Sequence, residues 1–228
     1  MAPATTTAPG RRIDTPELFA EEFSVSRETV SRLKTYEDLL KRWQKTINLV
    51  APGTVADVWH RHFADSAQLW RLAESPTGVW LDFGSGAGFP GLVLAIMAAE
   101  KAATRHILIE SDSRKAAFLR EVVRHTGVAV DILCTRIEST ETLAKVETAS
   151  CVTARALAPL PRLAGLVAPY FELSTRGLFL KGREVAAELE AARRDWDFEY
   201  SLVPSLTETG ARIVVLHGLR AKNSRITT

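Results

Sequence analysis

The stretch LDFGSGAGFPG, Leu81 to Gly91, constrains the fold more than any other part of the chain. An apolar run, VWLDF (79–83), stops at Gly84, Gly86 and Gly88, and an apolar helical pattern, GLVLAIMAAE, starts at Gly91. A strand that turns through glycines into a helix presents backbone N–H groups at the helix N-terminus. In open α/β folds that is the carboxyl edge of the sheet, where ligands bind. Glycine lets a ligand approach the backbone because no Cβ intervenes.

The other apolar runs agree. RHILIE (105–110), VAVDILC (128–134), SCVTA (150–154), GLFLK (177–181), FEYSLVP (198–204) and ARIVVLH (211–217) are strand-length and mostly separated by helix-length segments. That alternation predicts an α/β fold with a mostly parallel sheet covered on both faces. The Ser/Thr/Gly loop between the last two runs is too short for a parallel crossover, so the last strand is expected to be antiparallel. Ahead of the sheet, Val30, Leu33, Tyr36, Leu40, Trp43 and Ile47 recur every three or four residues and predict an amphipathic helix. A second helical pattern covers about 55–72, after the Pro52-Gly53 break. The expected organisation is a disordered tail (1–13), a helical cap (14–75), a ligand-binding α/β domain (76–218) and a basic C-terminal tail (219–228).

Composition narrows the classes. Hydrophobic residues are 46% of the 228, enough for one sizeable core, and 29 basic residues against 27 acidic make no polycation, so any nucleic-acid contact must be local. Cys134 and Cys151 lie in apolar runs and read as core thiols in a reducing cytoplasm. MAPATTTAPGRR has no apolar signal core, and no run reaches the ~20 apolar residues of a membrane span, so neither export nor a membrane is expected.

Two acids bear on what the glycine turn holds. Asp82, at the end of the first strand, would repel a pyrophosphate and attract an ammonium, which favours S-adenosylmethionine over a nicotinamide dinucleotide. Glu110 ends the next strand, where an acid takes the ribose hydroxyls of either ligand. No second constellation, such as a Tyr-x-x-x-Lys element, supports an oxidoreductase. A plain tight turn with a solvated strand-end acid is the bland alternative.

DFGSGAGFPG followed by LIESDSRKAAFLREV, then TARALAPL and LKG, resembles the RsmG (GidB) family of bacterial 16S ribosomal RNA guanine-N7 methyltransferases. INLVAPG and RHFADS in the cap are similar to that family's elements, and the resemblance runs over about residues 17–217. It implies a class I methyltransferase sheet, Rossmann-like, behind a helical cap. It also implies S-adenosylmethionine as methyl donor, S-adenosylhomocysteine as product, and 16S rRNA or the small ribosomal subunit as partner. No metal, no membrane and a monomer are expected. The resemblance assigns the donor to Asp82, Gly84, Ser85, Gly86, Gly88, Phe89, Pro90, Glu110, Ser111, Arg136, Ile137, Glu138 and Arg155. Asn48, Arg61, His62, Asp65 and Ser66 become the cap's share of the pocket, with Asn48 and His62 beside Arg155 as candidate catalytic residues.

Guanine N7 bears a lone pair and no proton, so it can attack a sulfonium methyl without a general base, and catalysis reduces to positioning and charge stabilisation. The chain accordingly shows no Ser-His-Asp-like set and no Cys/His metal pattern; His60 and His62 face different ways on a helix. Arg155 has two readings: a bidentate contact with the guanine edge or a phosphate, or a tie to a nearby carboxylate. Arg61 and Asp65, at i,i+4, also read as a surface ion pair. Ile137 and Glu138 either rim the adenine or begin a helix. Lys181 and Arg183 either form a basic lip or a solvated face. RNA contacts are expected from Arg61, Lys181, Arg183, Lys41, Arg42 and Lys45, with Arg11, Arg12 and the last arginines. Family members carry an acid at the start of the fourth strand where this chain has Ser150, a departure expected either to weaken that acid's role or to remove an ordering contact with Arg155. A relative that binds donor or RNA without transfer is the rival reading.

Overall fold

The computed structural model describes residues 11–73, 77–100, 103–146 and 148–222. Residues 1–10 of the expected N-terminal tail, 223–228 of the C-terminal tail and the expected boundary between cap and sheet at 75/76 lie outside the described residues. Among the described residues no helix is long and apolar enough to cross a membrane.

Seven strands are described: β1 (Gly78–Phe83), β2 (Thr104–Ile109), β3 (Val130–Leu133), β4 (Cys151–Arg155), β5 (Arg176–Lys181), β6 (Trp196–Pro204) and β7 (Arg212–Ala221). They form one sheet in the order β3-β2-β1-β4-β5-β7-β6. β1 pairs parallel with β2 and β4, which puts the reversal of strand order beside the glycine turn. β7 is antiparallel to both β5 and β6. β6 therefore runs in the same direction as β5, and the loop joining it to β7 emerges at the carboxyl edge, the edge that also carries the glycine turn.

The cap begins with α1 (Pro16–Phe23) and α2 (Arg27–Trp43), capped by Thr15 and Ser26, whose hydroxyls accept the N–H of Leu18 and Thr29. The segment read as one helix over 55–72 is instead a 3₁₀ turn (Pro52–Asp57), a π-helical turn (Trp59–Ala64), α3 (Asp65–Ala67) and a second 3₁₀ turn (Gln68–Leu72). Such departures from α geometry cluster where side chains must be aimed at a site. Cap residues Leu33, Tyr36 and Phe63 share a core with Phe89, Leu92 of α4 (Gly91–Ala98) and Phe118 of α5 (Ser113–Thr126) on one face of the sheet. On the other face, beyond the short α6 (Thr140–Lys145), α7 (Leu160–Val167) and α8 (Val185–Ala192) pack Leu163, Ala164 and Leu189 on Phe83, Val152 and Phe179.

Three expectations change. Cys134 is exposed while Cys151 is buried, because β3 is the edge strand and its end faces solvent. The anchored chain starts before residue 14, since Ile13 is buried and donates its N–H to His60 Nδ1 at 3.2 Å. The chain from Leu219 to Ala221 belongs to β7, not to a tail.

Tyr36 ties cap to turn. It is fully buried, its hydroxyl donates to the Ala87 carbonyl, and its ring stacks on Phe89 with centroids 5.4 Å apart. A Cβ at Gly88 would stand 2.5 Å from that hydroxyl and 2.9 Å from Leu92 Cβ, at a φ of +95°. Gly127, which caps α5 at φ +67°, has nothing within 4 Å of its virtual Cβ. Gly88→Ala should therefore cost about 2–4 kcal/mol, strain plus overpacking, against about 1 kcal/mol for Gly127→Ala. Urea unfolding of the two variants checks the ordering, and equal costs would mean that Tyr36 does not hold the turn.

Candidate active site

The glycine turn is supported from behind by two carboxylates. Asp82 is 2% exposed; Oδ1 accepts the Thr153 hydroxyl at 2.7 Å, and Oδ2 is buried without a hydrogen-bond partner among the described residues. A Cβ at Gly91 would lie 2.5 Å from Asp82 Cβ, so α4 docks on this side chain only because residue 91 is glycine. Expected at a ligand's ammonium, Asp82 instead stands behind the turn and off the cavity walls. Burial pushes its carboxyl up to about 6, against the pull of the Thr153 hydroxyl. Glu110, also buried, clamps two loops: Oε2 accepts the Gly86 N–H and Oε1 the Asp112 N–H, both at 2.7 Å. Each oxygen keeps a second lone pair, so Glu110 can hold the turn and accept a ribose hydroxyl together.

In front of the turn lies a cavity of about 230 Å³ lined by Gly84, Ser111, Arg136, Ile137 and Glu138, with Ile109, Leu157 and Leu166 as apolar walls. An added Cβ at Gly86 meets only the Gly84 carbonyl at 3.8 Å, so the turn leaves room before it. An apolar slot with a polar rim, open backbone and a ribose acid beside it fits S-adenosylmethionine. Ser85, Phe89 and Pro90, expected at the cofactor, are buried supports of the turn, with Ser85 Oγ donating to the Asp82 carbonyl at 3.0 Å.

A second cavity, about 650 Å³, adjoins the first, and Leu157 and Ala158 line both. Its centre is Arg155. Nη1 donates to Asp65 Oδ2 and to the Arg61 carbonyl at 3.3 Å, Nη2 donates to His62 Nδ1 at 3.0 Å, and the guanidinium lies 4.9 Å above the Phe89 ring. The tie to a carboxylate is thus realised, and of five guanidinium N–H groups two remain for a ligand. Because arginine only donates, His62 Nδ1 is unprotonated, and Nε2 carries the proton toward Thr54 Oγ1 at 2.8 Å. Burial, then Arg155 and Arg61, lower its pKa to about 3, so the imidazole is neutral.

Several sequence expectations fall elsewhere. Arg61 pairs with Glu208 at 3.2 Å and not with Asp65. Ser66 is buried and donates to the His62 carbonyl. Asn48 is exposed and lines not the Arg155 cavity but a groove with Lys45, Asp112, Arg114 and Lys115. Lys181 is no basic lip: its side chain, 8% exposed, donates to Glu188 and the Ala158 carbonyl at 2.7 Å. Arg183 is exposed, its stem against Gly210. Lys41 pairs with Glu37 at 2.6 Å, while Arg42 and Lys45 are exposed. Arg11 and Arg12 pair with Glu21 and Asp57. Ser150 stands just before β4 and Arg155 ends it, about 16 Å apart at ~3.3 Å per residue, so an acid at position 150 could not order Arg155. Among the described residues no group of three His, Cys, Asp or Glu is placed to hold a metal.

The sequence reading missed the β6–β7 loop. It brings Ser205, Thr207 and Glu208 to the second cavity and fastens them to the cap, with Thr207 Oγ1 donating to Asp65 Oδ1 at 2.6 Å. Only the direction of β6, a property of the whole sheet, could have revealed this.

The buried Asp82 makes a linkage prediction. A folded pKa of about 6 above the ordinary 3.8 means the folded state keeps its proton longer than the unfolded chain. Stability from this group is full below pH ~4 and falls through pH ~6, by about 3 kcal/mol. Denaturant unfolding of Asp82→Asn and the parent should therefore give a stability difference, variant minus parent, that grows by about that amount from pH 4 to 7. A difference constant with pH would mean an ordinary carboxylate.

Residues 29–215 match the family model described as GidB, rRNA small subunit methyltransferase G. The ribosomal RNA small subunit methyltransferase G of Parvibaculum lavamentivorans is 44% identical over 216 residues, 95% of either chain. That of Paramagnetospirillum magneticum is 50% identical over 202 residues, 89% of this chain and 94% of its own. Among solved structures, a mutant of MtNAS superposes with TM-score 0.55 at 14% identity, over 89% of this chain and 75% of its own. The mutant in complex with S-adenosylmethionine gives 0.53 at 14% identity, over 89% and 77%. Those two likenesses concern the fold, whereas the sequence matches span nearly the whole chain: it belongs to the rRNA small subunit methyltransferase G family.

Proposed function

We infer that this chain transfers a methyl group from S-adenosylmethionine to N7 of a guanine in the decoding-site loop of 16S rRNA. The observation that carries the reading is the pair of cavities meeting at Leu157 and Ala158, a nucleoside-sized slot at the glycine turn and a larger chamber around Arg155. When bound, the donor supplies an electrophilic methyl whose C–S bonding pair stays on sulfur as the N7 lone pair makes the new C–N bond. The chain's own part is placement. Glu110 and the Gly84–Gly88 backbone hold the nucleoside, and Ile137 and Glu138 border the adenine. Arg155 aims its two spare N–H groups at the base's O6 or at a neighbouring phosphate. No side chain has to remove a proton, in accord with a neutral His62 already engaged at both nitrogens. The acceptor base must leave its stack to enter the chamber. Exposed Lys45 and Arg114 and half-buried Lys115 line a groove beginning at Asp112, beside the ribose acid, where RNA phosphates would find local positive charge.

The test is transfer of labelled methyl to bare 16S RNA and to small subunits from a strain lacking the modification, with mass mapping of the product. Label as 7-methylguanine in the decoding-site loop is expected, and the better substrate identifies the assembly state. Label in neither RNA, with the donor still bound by calorimetry, would overturn the acceptor assignment. Arg155→Ala should lower kcat/KM at least about a hundredfold with little change in donor affinity, and Arg155→Lys should not restore it, because a point charge cannot meet three acceptors in fixed directions. Full activity of Arg155→Ala would remove its assigned role.

A further inference from the structure

Three carboxylates line the larger cavity, Asp65, Glu188 and Glu208. Two are spent within the fold. Asp65 accepts from Gln68, Thr207 and Arg155. Glu188 accepts the Leu160 N–H and Lys181 Nζ, both at 2.7 Å. The Glu208 carboxylate pairs, among the described residues, only with Arg61 at 3.2 Å, and its side chain is 47% exposed. Its loop is nonetheless held in place. Leu206 N–H donates to Gln68 Oε1 at 2.8 Å, and His60 Nε2 meets the Thr207 carbonyl at 3.2 Å. Glu208 is thus an accessible acid on a fixed support.

Its place in the sheet decides what it meets. The donor slot lies on the β1–β3 side, while the β6–β7 loop is at the other end of the strand order, with Arg155 and the Leu157–Ala158 wall between. A guanine offering N7 toward the donor turns its Watson–Crick edge away from it, toward that loop. The edge carries two adjacent donors, N1–H and the N2 amino group, which match the two oxygens of a carboxylate. Adenine has no proton at N1 and no amino group at C2. The base also gains positive charge as N7 is methylated, so a carboxylate on N1–H binds the transition state more strongly than the ground state.

We propose that Glu208, carried by the β6–β7 loop, reads the Watson–Crick edge of the acceptor guanine and makes the transfer specific for that base. The proposal rests on the guanine-N7 reading above. Arg61 holds the carboxylate in place when no base is present and is free to meet a phosphate when one is.

The experiment uses 16S RNA ligated with guanosine or inosine at the position that the mapping identifies. Inosine keeps N7, O6 and N1–H and lacks only the N2 amino group. Both RNAs are presented in the assembly state that accepts methyl, and two quantities are measured, kcat/KM for transfer and Kd for the RNA without donor. The unsubstituted protein should prefer guanosine by about tenfold or more in kcat/KM, with a smaller preference in Kd. Glu208→Ala should be slower on guanosine and should treat both RNAs alike. Arg61→Ala, which breaks the same ion pair but leaves the carboxylate, should keep the preference for guanosine whatever its rate. A Glu208→Ala protein with an undiminished preference, or an unsubstituted protein with none, overturns the proposal. No transfer to guanosine RNA by the unsubstituted protein overturns the underlying reading instead.

Discussion

The side chain of Arg155 is 19% exposed, and burying a guanidinium is tolerable only if its charge and donors are matched. The match comes almost wholly from the cap: a carboxylate from α3, a carbonyl and an imidazole from the π-helical turn, with the Phe89 ring beneath. Breaking such a set by removing one partner costs about 3–5 kcal/mol, so the residue at the end of β4 couples cap and sheet strongly, alongside Tyr36 and the β6–β7 loop. The irregular path of the chain from Pro52 to Leu72 follows from that demand. A regular helix would not present the Arg61 carbonyl, His62 Nδ1 and Asp65 to one guanidinium while burying Trp59, Phe63 and Ala67.

The same residue joins the two halves of the site. Phe89 is held between Tyr36 and the stacked ring of His62, 4.8 Å away, so the ring under Arg155 is also the last aromatic of the glycine turn. Tyr36 presses on the turn from the cap, Glu110 clamps it from β2, and Asp82 fills the space behind α4. The turn is thus assembled before any ligand arrives, and ligand binding does not have to order a loose loop. The cost is Asp82 itself, a buried acid with one oxygen unpartnered among the described residues.

Much of the fold was legible in the chain. Every strand run named from the sequence is a strand within a few residues; the central strands, buried on both faces, must be continuously apolar, whereas β3 and β6 at the edges are not buried in this way. The place of Glu110 was legible too, since it depends only on which residue follows β2. The places where the reading failed have a common cause. Lys181, Arg61 and Asp65 were assigned by residue type and local spacing, but each finds a partner on another element that only folding brings to it: Lys181 on α8, Arg61 on the β6–β7 loop, Asp65 on β4. Asn48 failed differently. Its neighbours in sequence belong to the cap, but the chain turns after α2 and leaves it exposed beside the N-terminus of α5.

What the sequence by itself determined is the alternation of elements, the glycine turn and the family to which its motifs belong, all of which rest on short-range patterns of apolarity and backbone freedom. What only the tertiary structure decided is the site's second half: which cap groups surround Arg155, that Lys181 is consumed by Glu188, and that the last hairpin delivers Glu208 to the cavity around Arg155. Those outcomes depend on strand direction and on the packing of segments that the chain itself keeps apart, Arg155 from its cap partners by 90 to 94 residues and Thr207 from Asp65 by 142, and a buried charge selects its partners only once that packing exists.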